Sequence, residues 1–312
     1  VRRALVTGGD GFVGRYLCAE LRERGISTVV AGRSAEFDGV DVVLELADAA
    51  GVRSVVETAR ADVVFHLAAQ AFVPLATADP LGTYETNVLG TARLVEAIRA
   101  LPPANRPRLL LVSSGEVYGV QAPGAFPLGE AVLPHPMTVY AASKLAAEAV
   151  VLASAYTFGL RAVVTRAFNH IGPGQSDRFA VAAFAQRLAQ IAHGEGTVLQ
   201  VGNLTPERDF LDVRDVVRAY VELALHGASG ELYNVCSGVP TRISDLLRTL
   251  VTVARVAVEI REDPALLRPA DVPVLYGDNR KLKDATGWEP RYSLAASLRD
   301  VYRAALAETA AK

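Results

Sequence analysis

The chain has 312 residues, 51% hydrophobic and 21% charged, with 32 Lys+Arg against 34 Asp+Glu and a formal net charge of −2. That length carries one large domain or two smaller ones, the apolar fraction argues against disorder, and the charge balance offers no basic surface for nucleic acid. Cys18 and Cys236 have no metal-ligand spacing and cannot build a disulfide framework, so they read as small buried hydrophobes and no metal is expected. No apolar run approaches a membrane span, and the N-terminus runs straight into a strand with no room for a signal peptide, so a cytoplasmic protein without membrane partners is expected.

In chain order, the first half alternates strands and helices. Ala4–Thr7 is expected as a strand feeding a helix near Gly11–Arg24, which Gly25 stops. Thr28–Ala31 and Asp41–Leu44 are the next strands, followed by a helix near Ala49–Ala59 and a strand at Val63–His66. One long helix is expected over Pro80–Ala100, ended by Pro102-Pro103. Leu109–Ser113 is a continuous apolar run of the kind a buried parallel sheet uses. A helix near Val139–Phe158 and a strand at Arg161–Arg166 complete the alternation, which means a doubly wound parallel sheet, the Rossmann α/β class.

After Arg166 the rhythm breaks in the turn-rich Asn169–Gly174 segment. Helices are expected near Ala180–His193, Val213–Leu225, Ile243–Val253 and Leu294–Leu306, with short strands between. The division this implies is a dinucleotide-binding domain over 1–166 and a smaller C-terminal α/β substrate-binding region over 167–312. Segments near 212–236 are expected to return to the first sheet.

Two motifs carry chemistry. Gly8, Gly11 and Gly14 stand where the first strand turns into a helix, a turn that lets backbone approach a pyrophosphate resting on the helix N-terminus. A glycine-rich turn alone is often only a tight turn. Tyr140 and Lys144, four apart, share one helical face, and a lysine ammonium there is expected to depress the tyrosine pKa and make it an acid or base near neutral pH. Only four of the 32 basic residues are Lys, yet one stands here, where a compact ammonium is not readily replaced by a planar guanidinium.

These residues, with His66-Leu67-Ala68-Ala69, Asn87–Thr91 and Ser113–Gly119, resemble the extended short-chain dehydrogenase/reductase family, whose members modify nucleotide sugars. Phe168–Gln175, Gly202–Asp215 and Leu267–Val272 extend the likeness over nearly the whole chain and look most like the GDP-4-keto-6-deoxy-D-mannose reductases. The resemblance implies NADPH-dependent reduction of the C4 keto group of a GDP-4-keto-6-deoxyhexose, giving GDP-D-rhamnose or its C4 epimer. It makes Tyr140 the general acid, Lys144 its partner and the holder of the nicotinamide ribose, and Ser114 the hydrogen-bond donor to the reacting carbonyl. Glu116 stands where the related GDP-mannose 4,6-dehydratases keep a base, so a dehydratase stays open, as does a nucleotide-sugar 4-epimerase.

The same resemblance sets Gly8, Gly11, Phe12, Val13, Gly14, Glu45, Leu46, Leu67, Ala68, Ala69 and Asn87 against the cofactor. Glu45 departs from the Asp that relatives often carry, and Val139 from their Pro. Asn87 is expected to tie the central strands together behind the site. Asn169, Val201, Arg208, Arg268 and Asp271 are implied to grip the GDP-sugar, the two arginines at its diphosphate. Cofactor choice turns on the end of the second strand, where Ala31-Gly32-Arg33-Ser34 offers no acid and Arg33 supplies a counter-charge for a 2′-phosphate, so NADP(H) is favoured and NAD(H) stays open. Relatives also pair through two helices. With Ala146, Ala149, Val150, Leu152 and Ala153 spread around the second of them, a homodimer through the helices near 80–100 and 139–158 is expected.

Overall fold

A computed structural model describes residues 1–35, 39–266 and 272–310. Its first half is built from β1 (Arg3–Thr7), α1 (Phe12–Glu23), β2 (Ser27–Gly32), β3 (Val42–Val43), α2 (Ala49–Ala59), β4 (Val63–His66), α3 (Val73–Ala78), α4 (Pro80–Tyr84), α5 (Gly90–Ala100), β5 (Arg108–Ser114), α6 (Val139–Phe158) and β6 (Ala162–Ala167). Then come β7 (Asn169–Ile171), α7 (Ala180–Ala192), β8 (Val198–Val201), β9 (Glu207–Asp212), α8 (Val213–His226) and β10 (Glu231–Val235). The chain continues through β11 (Pro240–Arg242), α9 (Ile243–Ala254), β12 (Glu259–Glu262), β13 (Val274–Leu275), α10 (Arg280–Thr286) and α11 (Leu294–Ala310).

The main sheet has seven strands in the order β10-β6-β5-β4-β1-β2-β3, all parallel. β10 returns to this sheet from far down the chain and pairs with β6. Its order reverses between β1 and β4, the switch point at which open α/β sheets hold ligands. Both faces are covered, which is why Leu109, Leu110 and Leu111 follow one another without alternation and are all buried. On one face α1 and α8 supply Leu17, Leu21, Val216 and Tyr220, with Trp288 beside them. On the other α2, α5 and α6 supply Val52, Val56, Leu94, Ile98, Ala147 and Val151. α7, α9 and α11 close a separate core of Phe184, Leu188, Leu247, Leu250 and Tyr302 beside the smaller sheets. There β9 pairs with β7, β11 and β13, and β8 with β12.

Local chemistry sets the ends of the site-bearing helices. The Thr138 hydroxyl accepts the Ala141 N–H at 3.0 Å and starts α6, so Val139 in place of Pro leaves a capped first turn. Gly159, at φ 65°, ends the helix in the left-handed conformation. The single helix expected over Pro80–Ala100 is instead three consecutive pieces. Glu85–Leu89 winds as a π-helix between α4 and α5, a local widening often found near functional sites. Among the described residues no helix is long and apolar enough to cross a membrane.

Candidate active site

The carboxyl ends of β1, β4, β5 and β6 converge on one crevice. From β1 comes the glycine loop. A Cβ on Gly8 would lie 2.8 Å from the Ala68 backbone nitrogen, and one on Gly14 would lie 2.3 Å from the Gly8 carbonyl oxygen. The loop is therefore packed backbone to backbone against the segment after β4, and glycine is the residue these positions accept. Phe12 and Val13, half-buried, open α1. Phe12 stacks on His170 with ring centroids 6.2 Å apart, and Tyr16 donates to the Pro173 carbonyl at 2.9 Å. The turn after β7 is thereby fastened over the start of α1.

Leu67, Ala68 and Ala69 follow β4 and are half-buried, with Ala68 against the glycine loop. Behind them His66 is fully enclosed, with Thr7 Oγ1 2.7 Å from Nδ1 and Thr91 Oγ1 3.1 Å from Nε2. Burial, and after it the Lys144 charge, pushes its pKa down to about 3, so the ring is neutral. Asn87 is buried in the π-helical turn. Its Oδ1 accepts the Gln70 N–H at 2.7 Å, while Nδ2 donates to the Gln70 carbonyl at 3.0 Å and to Ser143 Oγ at 2.9 Å. It ties the β4 extension to α6, one position before Lys144.

Ser114 ends β5 and Tyr140 opens α6, and the Ser114 hydroxyl stands near enough to the phenol to act on its ionisation. The Glu116 backbone N–H donates to Ser114 Oγ at 3.2 Å. Burial and the nearby Glu116 carboxylate push the Tyr140 phenol up from its ordinary value, with the Ser114 hydroxyl opposing them. This corrects the expectation that Lys144 depresses the tyrosine. Lys144 is itself buried, and burial lowers its ammonium to about 8 against the support of Glu148 one turn further on. Its charge helps to hold the His66 pKa down.

Glu148 belongs to a buried network that sequence reading missed. Arg166 binds it in a fork at 3.0 and 2.7 Å, and Ser113 Oγ donates to it at 2.6 Å. The Arg166 guanidinium lies 4.7 Å over the Tyr118 ring, and the Tyr118 hydroxyl donates to Asn234 at 2.8 Å. α6 is thus clamped to the strands carrying Ser114 and Ala167. The available signal was a charged pair, Glu148 and Arg166, inside otherwise apolar segments.

The remaining expected residues divide. Arg33 is exposed just beyond β2. Glu45 is exposed and folds back to accept the Ala47 N–H at 3.3 Å. Leu46 is a correction: its side chain is 4% exposed and belongs to the core beneath α2 and α5. Val201 is another, wholly buried in the core of the smaller region, so its side chain cannot grip a ligand. Asn169 is exposed on β7, in register with Phe210 of β9, two residues beyond half-buried Arg208. Next to Arg208, Asp209 accepts from Ser237 N and Oγ, both at 2.7 Å, and from Gly238 N at 2.9 Å. That carboxylate fastens Arg208's strand to the turn beyond β10 of the main sheet. Arg268 and Asp271 lie outside the described residues.

A doubly wound parallel sheet with a glycine loop at its switch point and Ser, Tyr and Lys across the crevice defines the extended short-chain dehydrogenase/reductase class. Within that class the chain belongs to the GDP-mannose 4,6-dehydratase family, whose model matches residues 5–301. It is 40% identical to the GDP-6-deoxy-D-mannose reductase of Pseudomonas aeruginosa over 96% of each chain. With the GDP-6-deoxy-D-talose 4-dehydrogenase of Aggregatibacter actinomycetemcomitans it shares 30% identity over 98% of this chain and 99% of that one. Among solved structures, RMD from Pseudomonas aeruginosa complexed with NADPH superposes with a TM-score of 0.88 at 39% identity, covering 99% of this chain and 100% of that one.

Proposed function

We propose that this chain reduces the C4 keto group of a GDP-4-keto-6-deoxyhexose with NADPH, giving GDP-D-rhamnose or its C4 epimer. The observation that carries this reading is the near full-length, 40% identical match to a GDP-6-deoxy-D-mannose reductase. The second relative's name refers to the 6-deoxy-talose sugar, which differs from 6-deoxy-mannose at C4, so both stereochemical outcomes stay within the proposal.

The residues present fit a dinucleotide. Gly8, Gly11 and Gly14 leave backbone bare at the N-terminus of α1, where a Cβ on the first or last would strike other backbone. When bound, the nicotinamide supplies the hydride. The chain's own residues do the rest. Ser114 orients the keto oxygen. Tyr140, held protonated by burial, gives its proton to the oxygen at C4 as the alkoxide forms. Lys144 keeps a positive charge one helical turn from the phenol and holds the nicotinamide ribose. Arg33 favours NADPH, and NADH remains a usable second cofactor. Arg208 and Asn169 are assigned to the GDP-sugar, and the Arg268 and Asp271 assignments to diphosphate and ribose complete the same reading.

The division of labour follows: 1–166 with the returning 212–236 segment for the cofactor, and the rest of 167–312 for the GDP-sugar. The protein acts in the cytoplasm as a homodimer paired through α4, α5 and α6. Support for the dimer comes from side chains left bare there: Leu81 is 80% exposed and Tyr156 82%, and Ala149 and Ala153 are exposed on α6.

Glu116 favours one second reading. Its carboxylate acts on Tyr140, as a C5 base beside the site would, so GDP-mannose 4,6-dehydration is the runner-up. The deciding experiment incubates the protein with GDP-mannose alone, and separately with GDP-4-keto-6-deoxymannose plus NADPH, and identifies products by NMR. Reduction of the keto sugar is expected. Loss of water from GDP-mannose alone, with the keto sugar untouched, would overturn the reductase reading in favour of the dehydratase.

A further inference from the structure

One charged side chain of the glycine loop has no part in the mechanism above. Asp10 stands between Gly9 and Gly11, half-buried. Its Oδ2 accepts the Arg33 backbone N–H at 3.2 Å. A Cβ built on Gly32 would lie only 2.9 Å from its carboxyl carbon. The loop is held in this place from the other side as well, because the Gly9 N–H donates to the Ala31 carbonyl at 3.1 Å. The carboxylate therefore stands over the last residue of β2. Dinucleotide-binding sheets commonly set an acid near the end of this strand to accept from the adenosine ribose hydroxyls of NAD. Here β2 ends in Gly32 and continues into Arg33 with no acid of its own. The acid reaches the same place from the first loop, and Gly32 is the residue that leaves it room.

We propose that Asp10 reads the adenosine ribose and opposes Arg33. Its carboxylate accepts from a free 2′-hydroxyl and repels a 2′-phosphate, which Arg33 attracts. The two charges act on one atom with opposite sign, so the chain takes NADPH and NADH with only a narrow preference between them. A phosphomonoester carries about −1.5 to −2 charge near neutral pH, so a carboxylate at this distance from the strand end bears directly on it. The inference rests on the dinucleotide-site reading above.

Binding, rather than turnover, tests it. The purified chain without substrate is titrated with NADPH and with NADH, following nicotinamide fluorescence, as wild type, Asp10→Asn, Asp10→Ser and Arg33→Ala. Asparagine keeps an oxygen for the Arg33 N–H and removes only the charge. Both Asp10 variants are expected to raise the NADPH-to-NADH affinity ratio about tenfold, the equivalent of one charge pair, and Arg33→Ala to lower it. A ratio within about twofold of wild type in both Asp10 variants, about a third of the expected change in free energy, overturns the assignment. If the wild type binds neither cofactor, the dinucleotide reading itself falls and the Asp10 proposal with it. Binding of both with an unmoved ratio removes only Asp10.

Discussion

Tyr140 shows how much a single side chain's surroundings change its chemistry. A phenol four residues from an ammonium suggests a depressed pKa, yet burial and Glu116 push it up. The phenol is protonated at neutral pH either way, and the upward shift makes it the weaker acid, so proton transfer depends on the charge that develops on the oxygen at C4. Tyr140→Phe keeps the ring and removes the proton, so turnover should drop about 10²–10⁴-fold, the usual worth of general acid catalysis. GDP binding, measured by calorimetry, should be unchanged, and near-normal turnover would falsify the assignment. Lys144 sets the pH limb. Its ammonium is lowered to about 8, so the charged fraction falls as pH rises through that value. In the free enzyme kcat/KM should therefore decline above about 8 while Tyr140 remains protonated. A profile that stays flat well beyond that point would show that the Lys144 charge is not required.

At the scale of elements, the Glu148–Arg166 pair decides where the catalytic helix sits. Both side chains are within 5% of full burial, and Ser113 joins them from the residue before Ser114. Breaking a buried pair by removing one partner leaves the other charge uncompensated and costs about 3–5 kcal/mol. Glu148→Ala should lose stability on that scale in denaturant unfolding. Glu148→Leu combined with Arg166→Met should recover much of the loss, since apolar replacement of both partners removes the orphaned charge. A double variant as unstable as Glu148→Ala would show that packing, not charge, dominates the site. The π-helical turn at Glu85–Leu89 serves the same helix, bringing Asn87 inward to meet Ser143.

At the scale of the molecule, the exposed faces of α4 and α6 bear on assembly. Val150 and Leu152 pack against the core of their own chain, so those two need no partner. Ala149, Ala153 and Tyr156 remain exposed on the same helix. Arginine at Ala149 and Ala153 would place two charges in the proposed two-fold contact. Wild type should scatter light as a dimer at micromolar concentration, and the double arginine variant as a monomer with unchanged circular dichroism. A wild-type monomer, or a dimer indifferent to both substitutions, rules the interface out.

The sequence by itself determined the local features of this protein. Apolar runs such as Leu109–Leu111, the turn at Gly8–Gly14 and the spacing of Tyr140 and Lys144 are written in neighbouring residues, because strand burial, tight turns and helical faces depend on short-range periodicity. α2, β4 and α6 accordingly begin and end where the chain pattern places them. Tertiary structure decided what depends on partners far along the chain. The Leu46 and Val201 side chains sit in cores because elements distant in sequence pack over them. The long helix widens at Glu85–Leu89, where Gln70 and Ser143, distant in sequence, take up the Asn87 amide. An acid missing from the end of β2 is supplied by Asp10, 22 residues before Gly32, because the glycine loop folds back onto that strand. Burial, which sets the ionisation of Tyr140, Lys144 and His66, is a property of the assembled fold, and no spacing along the chain encodes it.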